Sequence, residues 1–67
     1  MAAKTDIDVR NEGSIFMFTP LTAKGRAWVD KHLELESWQW LGGGFSVEHR
    51  YAGDLAEAMQ NDGLIVK

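Results

Sequence analysis

The run Ser14-Ile15-Phe16-Met17-Phe18-Thr19-Pro20-Leu21-Thr22 constrains this chain more than any other stretch. Its four consecutive large apolar residues are far too few to span a membrane and have no polar interruption at helical spacing. They read as a strand with both faces out of water. Pro20 has no amide proton to extend a ladder, and Thr22 offers a side-chain oxygen that can cap a helix. A strand therefore ends near Pro20 and a helix starts just after it.

The flanks fit that centre. Residues 5–10 alternate, with Ile7 and Val9 on one side and Asp6, Asp8 and Arg10 on the other, which predicts a half-exposed edge strand. Asn11-Glu12-Gly13, ending in a glycine suited to the left-handed conformation, predicts an antiparallel hairpin between this strand and residues 14–19. After the cap, Leu21, Gly25, Trp28, Val29 and Leu33 recur at helical spacing. This helix is expected to pack on the sheet through Trp28, Val29 and Leu33, with Gly25 in its first turn permitting close approach to a strand.

Two tryptophans and three glycines follow. Trp38 and Trp40 either alternate along a short strand or divide between core and surface. Gly42-Gly43-Gly44 precedes a strand-like run, the reverse of the strand-to-helix order of a phosphate-binding loop, so it predicts a flexible connection or a bulge. In residues 45–48, Phe45 and Val47 are expected to point inward. Tyr51, Leu55, Ala58 and Met59 mark a second amphipathic helix from about Arg50, with Asp54 and Glu57 early in it, where negative charge is favourable. Asn61-Asp62-Gly63 predicts its stop, with Leu64 folding back onto Met59. Leu64-Ile65-Val66 then reads as a final short buried strand. The resulting class is α+β with the order ββαβαβ: a four-stranded mixed sheet whose two helices are crossovers on one face.

A chain of 67 residues is one domain, read here as residues 1–67 with residues 1–5 flexible. At this size only roughly 60% of the unfolded surface can be buried. Cysteine is absent, which removes disulfides and thiolate metal sites and is compatible with a reducing cytoplasm. No signal-peptide core or membrane-length apolar run is visible, so the expectation is a cytoplasmic protein with no membrane partner. Ten acidic against seven basic side chains give a net charge of −3, with the basic ones scattered, which argues against nucleic acid as a partner. The carboxylates are not in the dense rows that imitation of DNA would need.

At Trp40-Leu41-Gly42-Gly43, Val47-Glu48-His49-Arg50-Tyr51, Asp54-Leu55 and Asp62-Gly63-Leu64-Ile65-Val66, the chain resembles a family of short uncharacterised bacterial proteins common in phages, prophages and other mobile elements. The similarity runs from about Ile7 to Val66 and opens with Asn11-Glu12-Gly13-Ser14-Ile15 and Pro20-Leu21-Thr22. The resemblance implies a phage-associated or accessory setting and carries over no catalytic residue.

The one constellation with chemical potential is Glu48-His49-Arg50-Tyr51, near a strand-to-helix junction. A histidine beside a carboxylate can act as a base, and Arg50 can bind an anion. Adjacent strand residues point to opposite faces, however, so these groups need not converge. His32 and His49 lack metal-ligand spacing, and no metal or cofactor is expected. Alternation along Ile15-Phe16-Met17-Phe18 puts one pair of large side chains on a face that two helices on the other side cannot cover, so either Trp38, Trp40 and the N-terminal segment fold across it or a second chain buries it. The chain therefore reads as a non-enzymatic module acting through protein–protein contacts, as a homodimer or with a different protein. Ile15, Met17, Trp38, Trp40, His49, Arg50 and Tyr51 are the candidate binding residues. The alternative is a small-anion or small-molecule binder, or a minimal enzyme, centred on His49, Arg50 and Tyr51.

Overall fold

The computed structural model of the protein describes residues 4–67. Residues 1–3, part of the segment expected to be flexible, lie outside the described residues. Strands β1 (Ile7–Asn11) and β2 (Ile15–Pro20) lead into helix α1 (Ala23–His32). A 3-10 turn (Ser37–Gln39), strands β3 (Trp40–Leu41) and β4 (Gly44–Glu48) and helix α2 (His49–Asn61) follow. The sheet has the order β1-β2-β4-β3, and every neighbouring pair is antiparallel.

The local signals in the sequence act as chemistry requires. In the first hairpin Gly13 has φ 92°, its N–H donates to Asn11 Oδ1 at 3.0 Å, and the Glu12 N–H donates to the Ile15 carbonyl at 2.9 Å. Thr22 caps α1, its Oγ1 accepting from the Gly25 N–H at 3.1 Å. At the far end of α2, Gly63 has φ 93°. The Leu64 N–H donates to the Met59 carbonyl at 3.0 Å and the Gly63 N–H to that of Gln60 at 3.0 Å, the paired bonds of a Schellman stop.

The α+β class holds, but the element order and the sheet type differ from the sequence expectation. The order is ββαββα, and the sheet is antiparallel where a mixed one was expected. The cause is the glycine segment. Leu41 pairs with Gly44 across a two-residue turn in which Gly42 has φ 69° and Gly43 does not share that sign, the pattern of a type II′ hairpin. This hairpin reverses the chain after α1, so β4 meets β2 antiparallel, with Phe18 opposite Phe45 and Phe16 opposite Val47. Helix α1 therefore crosses from β2 to β3, which run in the same direction with β4 inserted between them, so its crossover joins no adjacent parallel pair. Leu64-Ile65-Val66, expected as the last strand of the sheet, instead forms one parallel bridge between Ile7 and Val66. The tail lies along β1, with the Ile7 N–H donating to the Ile65 carbonyl at 3.0 Å and the Lys67 N–H to that of Ile7 at 3.0 Å.

Register sorts the two faces. Ile7, Val9, Phe16, Phe18, Phe45, Val47 and Trp40 share one face, by direct pairing and alternation. Both helices cover it: Val29 of α1 and Ala52 and Met59 of α2 join Ile7, Phe18, Phe45 and Leu64 in a single core. The Phe18 and Phe45 rings stack with centroids 5.9 Å apart at its centre. Gly25 sits where α1 crosses the start of β1, and a Cβ there would lie 2.5 Å from the Asp6 carbonyl oxygen, so only glycine permits this approach.

Asp6 departs from its expected place on the solvent side of a strand. It precedes β1 and is buried, at 7% exposure. Its carboxylate accepts from Thr22 Oγ1 at 2.6 Å and from the Ile65 N–H at 2.9 Å, and its carbonyl accepts from the Leu21 N–H at 2.8 Å. One side chain thus ties the first strand, the start of α1 and the C-terminal tail together.

Candidate functional site

Two surfaces stand out once the core is accounted for. The first is the sheet face opposite the helices. Ile15, Met17 and Thr19 of β2 project from its middle, with Asp8 and Arg10 on the β1 side, Ser46 and Glu48 on the β4 side, and Leu41 at the β3 edge. Ile15 and Met17 are half-buried by their neighbours. Gly44 lies beside this row, where a Cβ would be in ordinary contact with Met17 Cε at 3.4 Å but would strike Thr19 Oγ1 at 2.7 Å. Leu41 and Leu21 remain exposed, each at 56%. Asp8, Arg10, Glu12, Met17, Thr19 and Leu21 border a shallow depression of about 450 Å³ on this side. Of the sequence candidates, Ile15 and Met17 belong to this face.

Trp38 and Trp40 divide between surface and core. Trp40 lies on the helix-covered face, where its ring meets Phe45 edge-on at 5.4 Å and carries the Arg26 guanidinium 4.3 Å above its centroid. Trp38 sits in the 3-10 turn and is 76% exposed. Trp40 therefore does not shield the bare sheet face.

The second surface is a cleft of about 380 Å³ on the helix side, bordered by Val9, Phe16 and Phe18 of the sheet and by His49, Ala52, Gly53 and Ala56 of α2. Residues 49, 52, 53 and 56 fall on one stripe of the helix. That spacing is visible in the sequence, but it is overshadowed there by the larger side chains at 51, 55 and 59. The His49 ring packs against Phe16 at a centroid distance of 4.7 Å, tilted by 44°. Arg50 is held elsewhere: its Nε lies 3.1 Å from Glu48 Oε2, and its guanidinium stands 5.2 Å from the centroid of the exposed Tyr51 ring. Only His49 of the predicted trio borders the cleft.

A third cluster joins the two helices. The Trp28 indole N–H donates to Asp62 Oδ2 at 2.7 Å, and His32 stacks on Trp28 at 4.4 Å with its Nε2 3.6 Å from the same carboxylate oxygen. Lys24 Nζ adds a bond to the Gly63 carbonyl at 2.9 Å. Trp28, expected as core, packs against the core from its edge and also fastens the end of α2. Every polar side-chain atom buried among the described residues has a hydrogen-bond partner.

No helix of the described residues is long and apolar enough to cross a membrane, and no group of acidic or histidine side chains among them could hold a metal ion. What the fold defines is a small α+β domain with an antiparallel sheet, one face covered by helices and the other open. No protein-family model, curated protein or solved structure matches the chain.

Proposed function

We propose that this protein is a small, non-enzymatic binding module of the cytoplasm, serving a phage or other mobile-element programme. It acts through protein–protein contacts made by its open sheet face, and a second copy of the same chain is its first partner. The carrying observation is the placement of Ile15 and Met17 at the centre of the face opposite both helices, bordered by the exposed Leu21 and Leu41. Full burial of a side chain of this kind contributes about 1.5–3 kcal/mol, so completing the burial of this patch is a substantial driving force for a domain this small.

The surrounding charges favour self-association. Arg10 lies on the β1 side of Met17 and Glu48 on the β4 side of Ile15. Their partners within the chain, Asp8 and Arg50, are surface ones, so a two-fold contact can set Arg10 of each copy toward Glu48 of the other in exchange for these exposed pairs, with the apolar residues between them. The phage setting rests on the resemblance at residues 40–43, 47–51 and 62–66. The non-enzymatic reading is supported by the separation of His49, which borders the cleft, from Arg50 and Tyr51, which pack elsewhere.

Sedimentation equilibrium tests the reading. The wild-type protein is expected to be a dimer at concentrations on the order of 10 μM, and Met17→Glu a folded monomer. A wild-type protein that stays monomeric through the millimolar range would overturn self-association through this face.

A further inference from the structure

We propose that the cleft between α2 and the sheet is a binding site for a small, neutral, planar aromatic molecule. It lies on the helix side of the sheet and does not depend on the open face. Its volume of about 380 Å³ is within the range of small-molecule pockets, roughly 300–1,000 Å³. Its lining selects the ligand. Phe16 and Val9, backed by the fully buried Phe18, form an apolar floor, and Ala52, Gly53 and Ala56 form a side from which no long side chain projects, so an aromatic ring can lie against Phe16 without displacing one. No acidic side chain, lysine or arginine borders it, and a charged ligand would lose its hydration without a partner. Among the described residues the one polar side chain on its border is His49, already packed on Phe16. Its imidazole offers one hydrogen-bonding edge and a second aromatic surface.

Gly53 separates this cleft from an ordinary packing gap. Gly13, Gly42 and Gly63 have positive φ, and Gly25 and Gly44 lie against backbone atoms that a Cβ would strike. Gly43 and Gly53 have neither reason, but Gly43 belongs to the β3–β4 turn whereas Gly53 lies inside a helix, where its φ is not positive and a Cβ built on it meets nothing within 4 Å. A glycine inside a helix weakens it, so the fold alone favours a larger residue at this position. The bare backbone there leaves that side of the cleft unobstructed.

The test is a titration of the uniformly ¹⁵N-labelled protein with indole, followed by amide chemical shifts, with cyclohexanol as a saturated control. Saturable shifts are expected at Phe16, His49, Ala52, Gly53 and Ala56, with a dissociation constant on the order of 1 mM, and weaker binding of cyclohexanol. Gly53→Leu, checked for folding by near-ultraviolet circular dichroism, should weaken indole binding at least about tenfold. Ala56→Phe is a second blocking variant should the first fail to fold. Indole binding more tightly than N-acetyltryptophanamide supports a free ligand, and the reverse order overturns it in favour of a partner's side chain. The proposal is also overturned by shifts that never saturate, by equal affinity for cyclohexanol, or by undiminished binding in a folded blocking variant.

Discussion

Thr22 Oγ1 donates to Asp6 Oδ1 at 2.6 Å while accepting from the Gly25 N–H at 3.1 Å, so one hydroxyl both caps α1 and fastens it to the chain ahead of β1. The Thr22 hydrogen bond, with that from the Ile65 N–H and the nearby charge of Lys24, holds the Asp6 carboxyl below the ordinary aspartate value of 3.8, against the opposing effect of burial. A folded-state value depressed in this way contributes stability that is fully present above the unfolded value and is lost as pH falls through the folded one. The thermal midpoint should therefore hold between about pH 7 and pH 5 and drop below about pH 4. Asp6→Asn should lower it at pH 7 and flatten its acid dependence. Thermal denaturation across that range checks both, and an Asp6→Asn protein with wild-type acid sensitivity would refute the assignment.

Thr22→Val keeps the side chain's shape but removes the cap acceptor and the donor to Asp6. A loss of about 1–2 kcal/mol is expected by chemical denaturation.

Three glycines should respond with opposite signs. Gly25→Ala places a Cβ 2.5 Å from the Asp6 carbonyl oxygen, and Gly44→Ala places one 2.9 Å from that of Phe18. Backbone cannot swing aside, so each should cost about 1–3 kcal/mol. Gly53→Ala meets no atom within 4 Å and lies inside α2, so it should add up to about 1 kcal/mol. Denaturation midpoints of the three variants give the comparison directly.

How far the sequence discloses this fold depends on how local each determinant is. The first hairpin, the Thr22 cap, the Gly63 stop and the inward direction of Phe45 are set by residues within a few positions of one another, and all are readable. Asp6 is not. Its partners Thr22 and Ile65 are 16 and 59 positions away, and a short alternating pattern hides the bend that takes Asp6 out of the strand. Strand β3 is equally hidden, because two residues carry no periodicity and exist as a strand only through their pairing with β4. That pairing decides between an antiparallel and a mixed sheet. Among the candidate site residues, alternation along β2 correctly separates Ile15 and Met17 from Phe16 and Phe18 once one face is known to be core. The division between Trp38 and Trp40 depends on Arg26 and Phe45, which no spacing reveals.

Duplex DNA should bind negligibly at physiological salt. Net charge is −3, and four of the seven basic side chains are already engaged: Arg10 with Asp8, Arg26 with Asp30, Arg50 with Glu48, and Lys24 with the Gly63 carbonyl. Few cations remain to displace the counterions whose release drives nonspecific affinity. A salt-sensitive mobility shift of random duplex DNA at micromolar protein would contradict this.

The open face and the core can be separated by placing the same charge on alternate residues of one strand. Phe18 is fully buried between the helices and the sheet, and Phe16 packs against that core, so Phe18→Glu buries an unpaired carboxylate and Phe16→Glu partly does so. Even truncation of a core phenylalanine costs about 3–5 kcal/mol, comparable to the whole stability of a small domain, so Phe18→Glu should be unfolded. Ile15 and Met17 face away from the helices and are half-buried, so a carboxylate at either can turn to water. Their loss should cost about 1–2 kcal/mol of packing, with Met17 the more expensive because its methyl group lies over Gly44. Ile15→Glu and Met17→Glu should therefore keep the wild-type circular dichroism spectrum while abolishing the proposed self-association, since each copy would bring a buried carboxylate to the same contact. Folding and association should thus alternate along residues 15–18, read by circular dichroism and sedimentation on the same samples. A dimer that survives both Ile15→Glu and Met17→Glu would place its interface somewhere other than this face.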